Sequence, residues 1–443
     1  MNLMDTLIEN IKIVDGKGQA PFVSSILIKN GIIDSIGYTD ALENMQNVNI
    51  IDGKGLTVAP GLIDVHVHFR DPGFETKEEI KTGCKAAACG GYTTVCCMPN
   101  TKPAIHSVDV IKYIDDKAKE CDLVNLFSIA AMTIDQQGKE LAPFAEMDNA
   151  DTRCKELTGH GIAGISEDGK SLLDDELMYK VMIAAKELDL AVMDHAEDSR
   201  ITGGAINLGK VSEELGVKGI PEEAEIRIVN RDIDLAHNTG ARMHIQHVST
   251  AIAVCAIREG KKNVPGLTCE TAPHYISMTD EVVKELGSMA KMNPPLRTEQ
   301  DRKEIIDGLC DGTIDIIATD HAPHQLHEKD ASLEDATFGI VGLETAFSIC
   351  YSILVDEEKR ISLSKLIQLM SSRPAEIINL DRGIIEEGKV ADLFIFDENQ
   401  EYTIDKEDFA SKGKNTPFDG RKVKGKVLYT ILGGKITYDS KIG

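Results

Sequence analysis

The chain has 443 residues, 42% of them hydrophobic, with 48 lysines and arginines against 73 aspartates and glutamates, a formal net charge of −25. That length exceeds what one ordinary core fills, so one large barrel with an appendage, or two to three domains, is expected. The charge excludes a protein that holds nucleic acid or an anionic membrane through its overall field, so any anionic substrate has to be captured locally. No run of 18 apolar residues and no charged-then-apolar leader occurs, which predicts a cytoplasmic protein. Ten scattered cysteines, without a Cys-x-x-Cys pair, read as reduced core thiols.

Residues 1–60 hold short strand runs, notably Ser25 to Lys29 and Ile32 to Ile36, joined by Asn30-Gly31 as a hairpin turn. From 61 to about 320, short apolar segments alternate with helix-like ones. Eight strands are predicted, beginning near Leu62, Tyr92, Leu123, Gly161, Leu190, Ala241, Leu267 and Thr313. Between them, Glu78 to Cys89, Val108 to Ala118, Asp174 to Lys186 and Glu222 to Ala236 carry apolar positions three and four apart. Eight strand-then-helix units argue for an α/β fold, a closed (β/α)8 TIM-type barrel over 61–374. The Gly-rich interruption from Asp198 to Pro221 reads as a long loop. Residues 389–438 return to strands, with Gly433-Gly434 as a tight turn. Neither end holds enough strands for its own core, so 1–60 and 375–443 are expected to combine into one small β-sandwich domain.

Residues of metal-binding type recur where the predicted strands end. Leu62 to Arg70 alternates apolar and polar, placing His66, His68 and Arg70 on one face and Ile63, Val65, Val67 and Phe69 on the other. The fourth strand ends in Glu167-Asp168, the fifth in His195, and the eighth runs into Asp320-His321-Ala-Pro-His324. His244 and His247 on the sixth are three apart, so only one of them can join a site. In a parallel barrel all these carboxyl ends share one rim. Four histidines and two carboxylates would meet there, a donor set able to hold two divalent ions.

The motifs His66-Val-His68-Phe-Arg70-Asp-Pro-Gly, Met98-Pro-Asn100-Thr, Asp194-His195-Ala-Glu-Asp198, His247-Val-Ser-Thr250, Asn293-Pro-Pro-Leu-Arg297, Ala318-Thr-Asp320-His-Ala-Pro-His324 and Phe338-Gly339 resemble those of dihydroorotases in the amidohydrolase superfamily. The match spans nearly the whole chain. His-x-His marks the superfamily, whereas the combination of Arg70, Asn100, Asn293 and His324 points to the dihydroorotases. The resemblance implies two zinc ions, one held by His66, His68 and Asp320, a second by His195 and His247, with Asp168 bridging. No lysine stands in Ser166-Glu167-Asp168, which matches the subgroup that bridges with aspartate; Glu167 occupies the place of that subgroup's usual first aspartate. It further implies reversible cyclisation of N-carbamoyl-L-aspartate to L-dihydroorotate in pyrimidine synthesis, with Asp320 as catalytic proton carrier. Arg70, Asn100, Asn293 and His324 would hold the substrate, Phe338 and Gly339 would offer it backbone contacts, and the assembly would be a homodimer. Two alternatives are another cyclic amidase, acting on hydantoins, dihydropyrimidines or allantoin, and a catalytically dead homologue serving as a scaffold. Residues His321 to Leu343 are expected to form a mobile segment over the site, and His274 to pack in the core.

Overall fold

The computed structural model describes residues 4–37 and 48–442. Eight strands, Leu62–Val67, Tyr92–Cys97, Asn125–Ala131, Gly164–Ser166, Val192–Asp194, Met243–Ile245, Leu267–Thr271 and Ile316–Ile317, pair in chain order, each parallel to the next. The ring closes through a parallel bridge between Val67 and His321, where the His68 N–H donates to the His321 carbonyl at 2.9 Å. Asp64 reinforces the seam by accepting from the Thr319 N–H at 3.2 Å. The strands start within three residues of their predicted positions.

The helices follow the apolar spacing that predicts them. Asp175–Glu187 buries Met178, Val181, Met182 and Ala185, one face at intervals of three and four, and Asp174 caps its first turn by accepting from the Glu176 and Leu177 N–H groups at 3.0 Å. Burying each larger apolar side chain contributes about 1.5–3 kcal/mol, so this face, rather than helix propensity, fixes the helix on the barrel.

Two expectations need correction. Asp198 to Pro221 is not an unstructured loop: Ile206–Asn207 and Gly219–Ile220 pair in parallel around the helix Lys210–Leu215. The glycines serve close approach there, since a Cβ on Gly219 would lie 2.3 Å from the Leu208 Cα. The first barrel strand does not present one simple apolar face either. Ile63 and Val65 join the cluster inside the barrel, whereas Val67 and Phe69 pack outward against the helices. Its pairing with the second strand shifts register between Asp64 and Val67, and this irregularity switches the side the apolar residues take. The segment from His321 to Leu343 makes buried hydrogen bonds, described below.

The chain ends meet in one continuous eight-stranded sheet. Its order runs Lys435–Asp439, Lys426–Leu432, Leu393–Asp397, Thr57–Pro60, Thr6–Ile13, Phe22–Lys29, Ile32–Ile36, with Asn49–Asp52 also beside Thr6–Ile13. Asn30 and Gly31 turn the hairpin with φ of 51° and 80°, as a primed turn requires. An Ile32–Val390 bridge curls the sheet back on itself over Ile8, Ile26, Ile33, Val58, Leu393 and Ile431. Ala375, Ile377, Ile378 and Leu380 instead pack with the apolar residues inside the barrel.

Candidate active site

The rim at the strands' carboxyl ends gathers the predicted residues. Eleven of the twelve, His68, Arg70, Asn100, Asp168, His195, His247, Asn293, Asp320, His324, Phe338 and Gly339, line one pocket of about 240 Å³. The twelfth, His66, lies fully buried beside it. A larger cavity of about 670 Å³ lies elsewhere, beside Arg297, Asp301 and Cys255, and none of the twelve lines it. Local backbone strain marks the site: Arg70, His247 and Asp320 sit at φ of 61°, 35° and 50°, a region that costs L-residues of order 1–3 kcal/mol. Each follows a barrel strand, so the sharp turn aims its side chain back across the rim.

Asp168 stands at the centre. Its Oδ1 lies 3.4 Å from His66 Nε2, 3.6 Å from His195 Nδ1 and 3.8 Å from His247 Nε2, and its Oδ2 lies 3.4 Å from His68 Nε2. Asp320 Oδ1 reaches His68 Nε2 at 3.1 Å and His66 Nε2 at 3.6 Å. Burial alone would raise both carboxyls, yet the surrounding imidazoles win, holding Asp168 well below and Asp320 below the usual carboxylate range. Both therefore face the histidines as anions. Glu167 points the other way, accepting from the Thr133 N–H at 3.1 Å and from its hydroxyl.

The donor set fits two cations. His66 with Asp168 and His247, and His66 with His68 and Asp320, each bring ligand atoms within 4.8 Å of one another. Two of these atoms, His66 Nε2 and Asp168 Oδ1, are buried without any hydrogen-bond partner, which costs about 1–3 kcal/mol apiece unless something else satisfies them. His195 Nδ1 and His247 Nε2 approach to 2.7 Å, where two bare lone pairs would repel. Nitrogen and carboxylate oxygen donors of this kind suit borderline divalent ions such as zinc.

Around these ligands lies a supporting ring that motif reading largely missed. Glu270, on the seventh strand, accepts from His66 Nδ1 at 2.5 Å and lies 3.0 Å from His244 Nε2. It thereby frees Nε2 of His66 to face the other ligands. His244, the histidine expected to miss the pocket, lies beneath it as the support of Glu270. Asn100 Oδ1 accepts from His68 Nδ1 at 2.9 Å in the same manner, and its amide nitrogen lies where a Cβ on Gly169 would come within 2.9 Å. Glu197 lies 3.5 Å from His195 Nε2 and accepts from Asn293 Nδ2 at 2.9 Å. His274 is buried with no partner for Nε2, and burial pushes it down to about 4, so it is neutral.

The opposite wall carries the cation. Arg70 donates to His324 Nε2 at 3.3 Å and to the Pro323 carbonyl at 3.4 Å. Burial, with Arg70 and Lys77 facing it, pushes His324 down to about 2, leaving a neutral imidazole beside a guanidinium. The Gly339 N–H donates to the Lys291 carbonyl at 3.0 Å. His106 and His160 pair with Asp135 and Asp148 outside the pocket.

Comparison with known proteins agrees with this geometry. The amidohydrolase family profile matches residues 57–437. The dihydroorotase of Clostridioides difficile (strain 630) is 44% identical over 435 residues, covering 98% of this chain and 100% of the relative. That of Acetivibrio thermocellus is 42% identical, covering 98% and 99%. In fold, the chain superposes with a TM-score of 0.84 on the L-hydantoinase (dihydropyrimidinase) of Arthrobacter aurescens, at 22% identity and 98% and 96% coverage. It does the same on the dihydropyrimidinase of Brevibacillus agri NCHU1002, at 23% identity and 99% and 96% coverage. With the donor set complete, the chain belongs to the amidohydrolase family and, within it, to the dihydroorotases.

Proposed function

We propose that this cyclic amide hydrolase interconverts L-dihydroorotate and N-carbamoyl-L-aspartate in pyrimidine nucleotide synthesis, with two zinc ions bound by His66, His68, Asp168, His195, His247 and Asp320. The observation that carries this is the convergence of four imidazoles, two ionised aspartates and one guanidinium on a single pocket of about 240 Å³. The ions, when bound, supply Lewis acidity and a water acidified toward neutral pH. Asp320, ionised and strained toward the histidines, takes a proton from the attacking water and returns it to the departing ring nitrogen. Asp168 lies between the two ligand groups and joins them. Arg70 receives the substrate's α-carboxylate with its planar fork, flanked by Asn100, Asn293 and the neutral His324. Phe338 and Gly339, which line the same pocket, would contact the ring.

We place the protein in the cytoplasm as a homodimer that binds neither nucleic acid nor membrane. All ten cysteines are unpaired, no described helix is long and apolar enough to cross a membrane, and the net charge is −25. Light scattering checks the dimer.

Elemental analysis of fresh protein together with dihydroorotate hydrolysis tests the reading. Two ions per chain and turnover of dihydroorotate are expected, with dihydrouracil and hydantoin much poorer because they lack the carboxylate that meets Arg70. Ring closure turns a dianion into a monoanion and takes up one proton, so the equilibrium should shift toward dihydroorotate about tenfold per pH unit of acidification. Bound metal with hydantoin turnover alone would reassign the enzyme to another cyclic amidase.

A further inference from the structure

Two lysines beside the pocket are buried with no carboxylate among the described residues to meet them. Lys329 is 0% exposed and Lys291 2%. Lysine is almost never fully buried unless its charge is compensated, because desolvating an ammonium costs several kcal/mol. Here the compensation is entirely main chain. Lys329 Nζ donates to the carbonyls of Lys291, Thr337 and Gly339 at 2.9, 2.9 and 3.0 Å. Lys291 Nζ donates to those of Leu333, Glu334 and Ala336 at 2.6, 3.2 and 2.6 Å, and stands 4.3 Å from the centre of the Phe338 ring. An ammonium has three donors, so both are fully used.

The six carbonyls explain why lysine is needed. Five carbonyls of the segment from Leu333 to Gly339 turn toward the two ammonium groups, that of Gly339 also accepting from Asn415 Nδ2 at 3.1 Å, and a buried carbonyl left unpaired costs about 1–3 kcal/mol. No apolar residue at 291 or 329 could satisfy them. The two lysines are also linked, since Lys329 holds the carbonyl of Lys291, and that carbonyl in turn accepts the Gly339 N–H. Four pocket residues hang on this frame: Asn293 two residues after Lys291, His324 five before Lys329, and Phe338 and Gly339 on the segment the ammonium groups gather. Of the proposed metal-binding residues, His195 touches this frame from its edge, its Nε2 lying 3.3 Å from Asn293 Nδ2.

We propose that Lys291 and Lys329 are positioning residues that preform the substrate-facing wall of the pocket, acting on substrate capture and not on the metal centre. The proposal rests on the functional reading above. Burial, with the Lys291 ammonium facing it, pushes Lys329 down to about 7, so the carbonyl cage works against desolvation to keep the third N–H.

The test compares Lys329→Met and Lys291→Met with wild-type enzyme. The expected result is a KM for dihydroorotate raised about tenfold or more, kcat within threefold, and two ions per chain retained. A folded variant with wild-type KM overturns the proposal, and so does loss of kcat that tracks loss of metal. Hydrogen exchange on the wild-type enzyme gives an independent reading should the variants fail to fold. The amides of Thr337 and Gly339, which donate to the Glu328 and Lys291 carbonyls, should be protected equally with and without substrate; free exchange there without substrate would show that the wall is not preformed, and overturns the proposal. Absence of dihydroorotate turnover by the wild type would instead defeat the functional reading and leave the exchange result standing.

Discussion

Asp320 answers two demands with one carboxylate: it must stay ionised while fully surrounded by protein, and it must reach both His66 and His68. A left-handed backbone at φ 50° meets the second demand, and aspartate tolerates that region better than most residues. Asparagine keeps the shape and a ligating oxygen but cannot carry a proton. Asp320→Asn should therefore lower turnover in both directions by at least ~10²-fold, the contribution expected of general acid–base catalysis, with metal content checked by elemental analysis. Near-normal rates would remove Asp320 from proton transfer. Glu270→Gln should act differently, weakening metal affinity by about 10–100-fold in a chelator titration, because it loosens the hold on His66 Nδ1. The histidines and aspartates gathered at the rim were legible in the sequence because they stand at strand ends, where one topological rule brings them together. Glu270 was not, since Leu-Thr-Cys-Glu-Thr offers no motif and its partners, His66 and His244, come from other strands. Nor could the sequence reveal that the Gly339 N–H donates to Lys291, a contact across 48 residues.

Among elements, what periodicity dictates is read correctly, and what long-range pairing dictates is not. The helix Asp175–Glu187 follows from its own apolar spacing and cap. The register shift in Leu62–Val67 follows from its neighbour, and so lies outside any single-strand pattern. The same holds at the seam between barrel and terminal sheet, where Glu344 accepts from the Ala410 and Ser411 N–H groups at 2.8 and 3.2 Å. Burial pushes its carboxyl up to about 7, overcoming those two hydrogen bonds. The folded state then keeps a proton that the unfolded chain, with a glutamate near 4.3, releases. Stability from this group is intact below about pH 4 and is lost as pH rises through the window from about 4.3 to 7. The loss amounts to about 4 kcal/mol by linkage. Glu344→Gln, which cannot ionise, should flatten that slope: urea unfolding at pH 8 should find the variant at least as stable as wild type, and at pH 5 the advantage should vanish. A parallel pH dependence in both proteins would show that Glu344 does not ionise there.

At the scale of the whole molecule, an acidic surface surrounds a site built for anions, and the two act over different distances. The field of a −25 chain extends roughly a Debye length from the surface, about 30 Å at 0.01 M salt and about 8 Å at 0.15 M. The contact proposed for Arg70 would be made at hydrogen-bond range inside the pocket, where salt screens far less. Salt should thus remove repulsion on approach while leaving much of the grip. N-carbamoyl-L-aspartate carries two negative charges and dihydroorotate one, so the dianion is repelled more on its way in. Raising ionic strength from 0.01 to 0.15 M at constant pH should increase kcat/KM for ring closure by a larger factor than for ring opening. Initial rates in both directions, with the metal kept saturating, give the comparison. If salt instead lowered kcat/KM for the dianion more steeply than for the monoanion, the local cations would be setting the long-range field, and Arg70→Met should then abolish the difference.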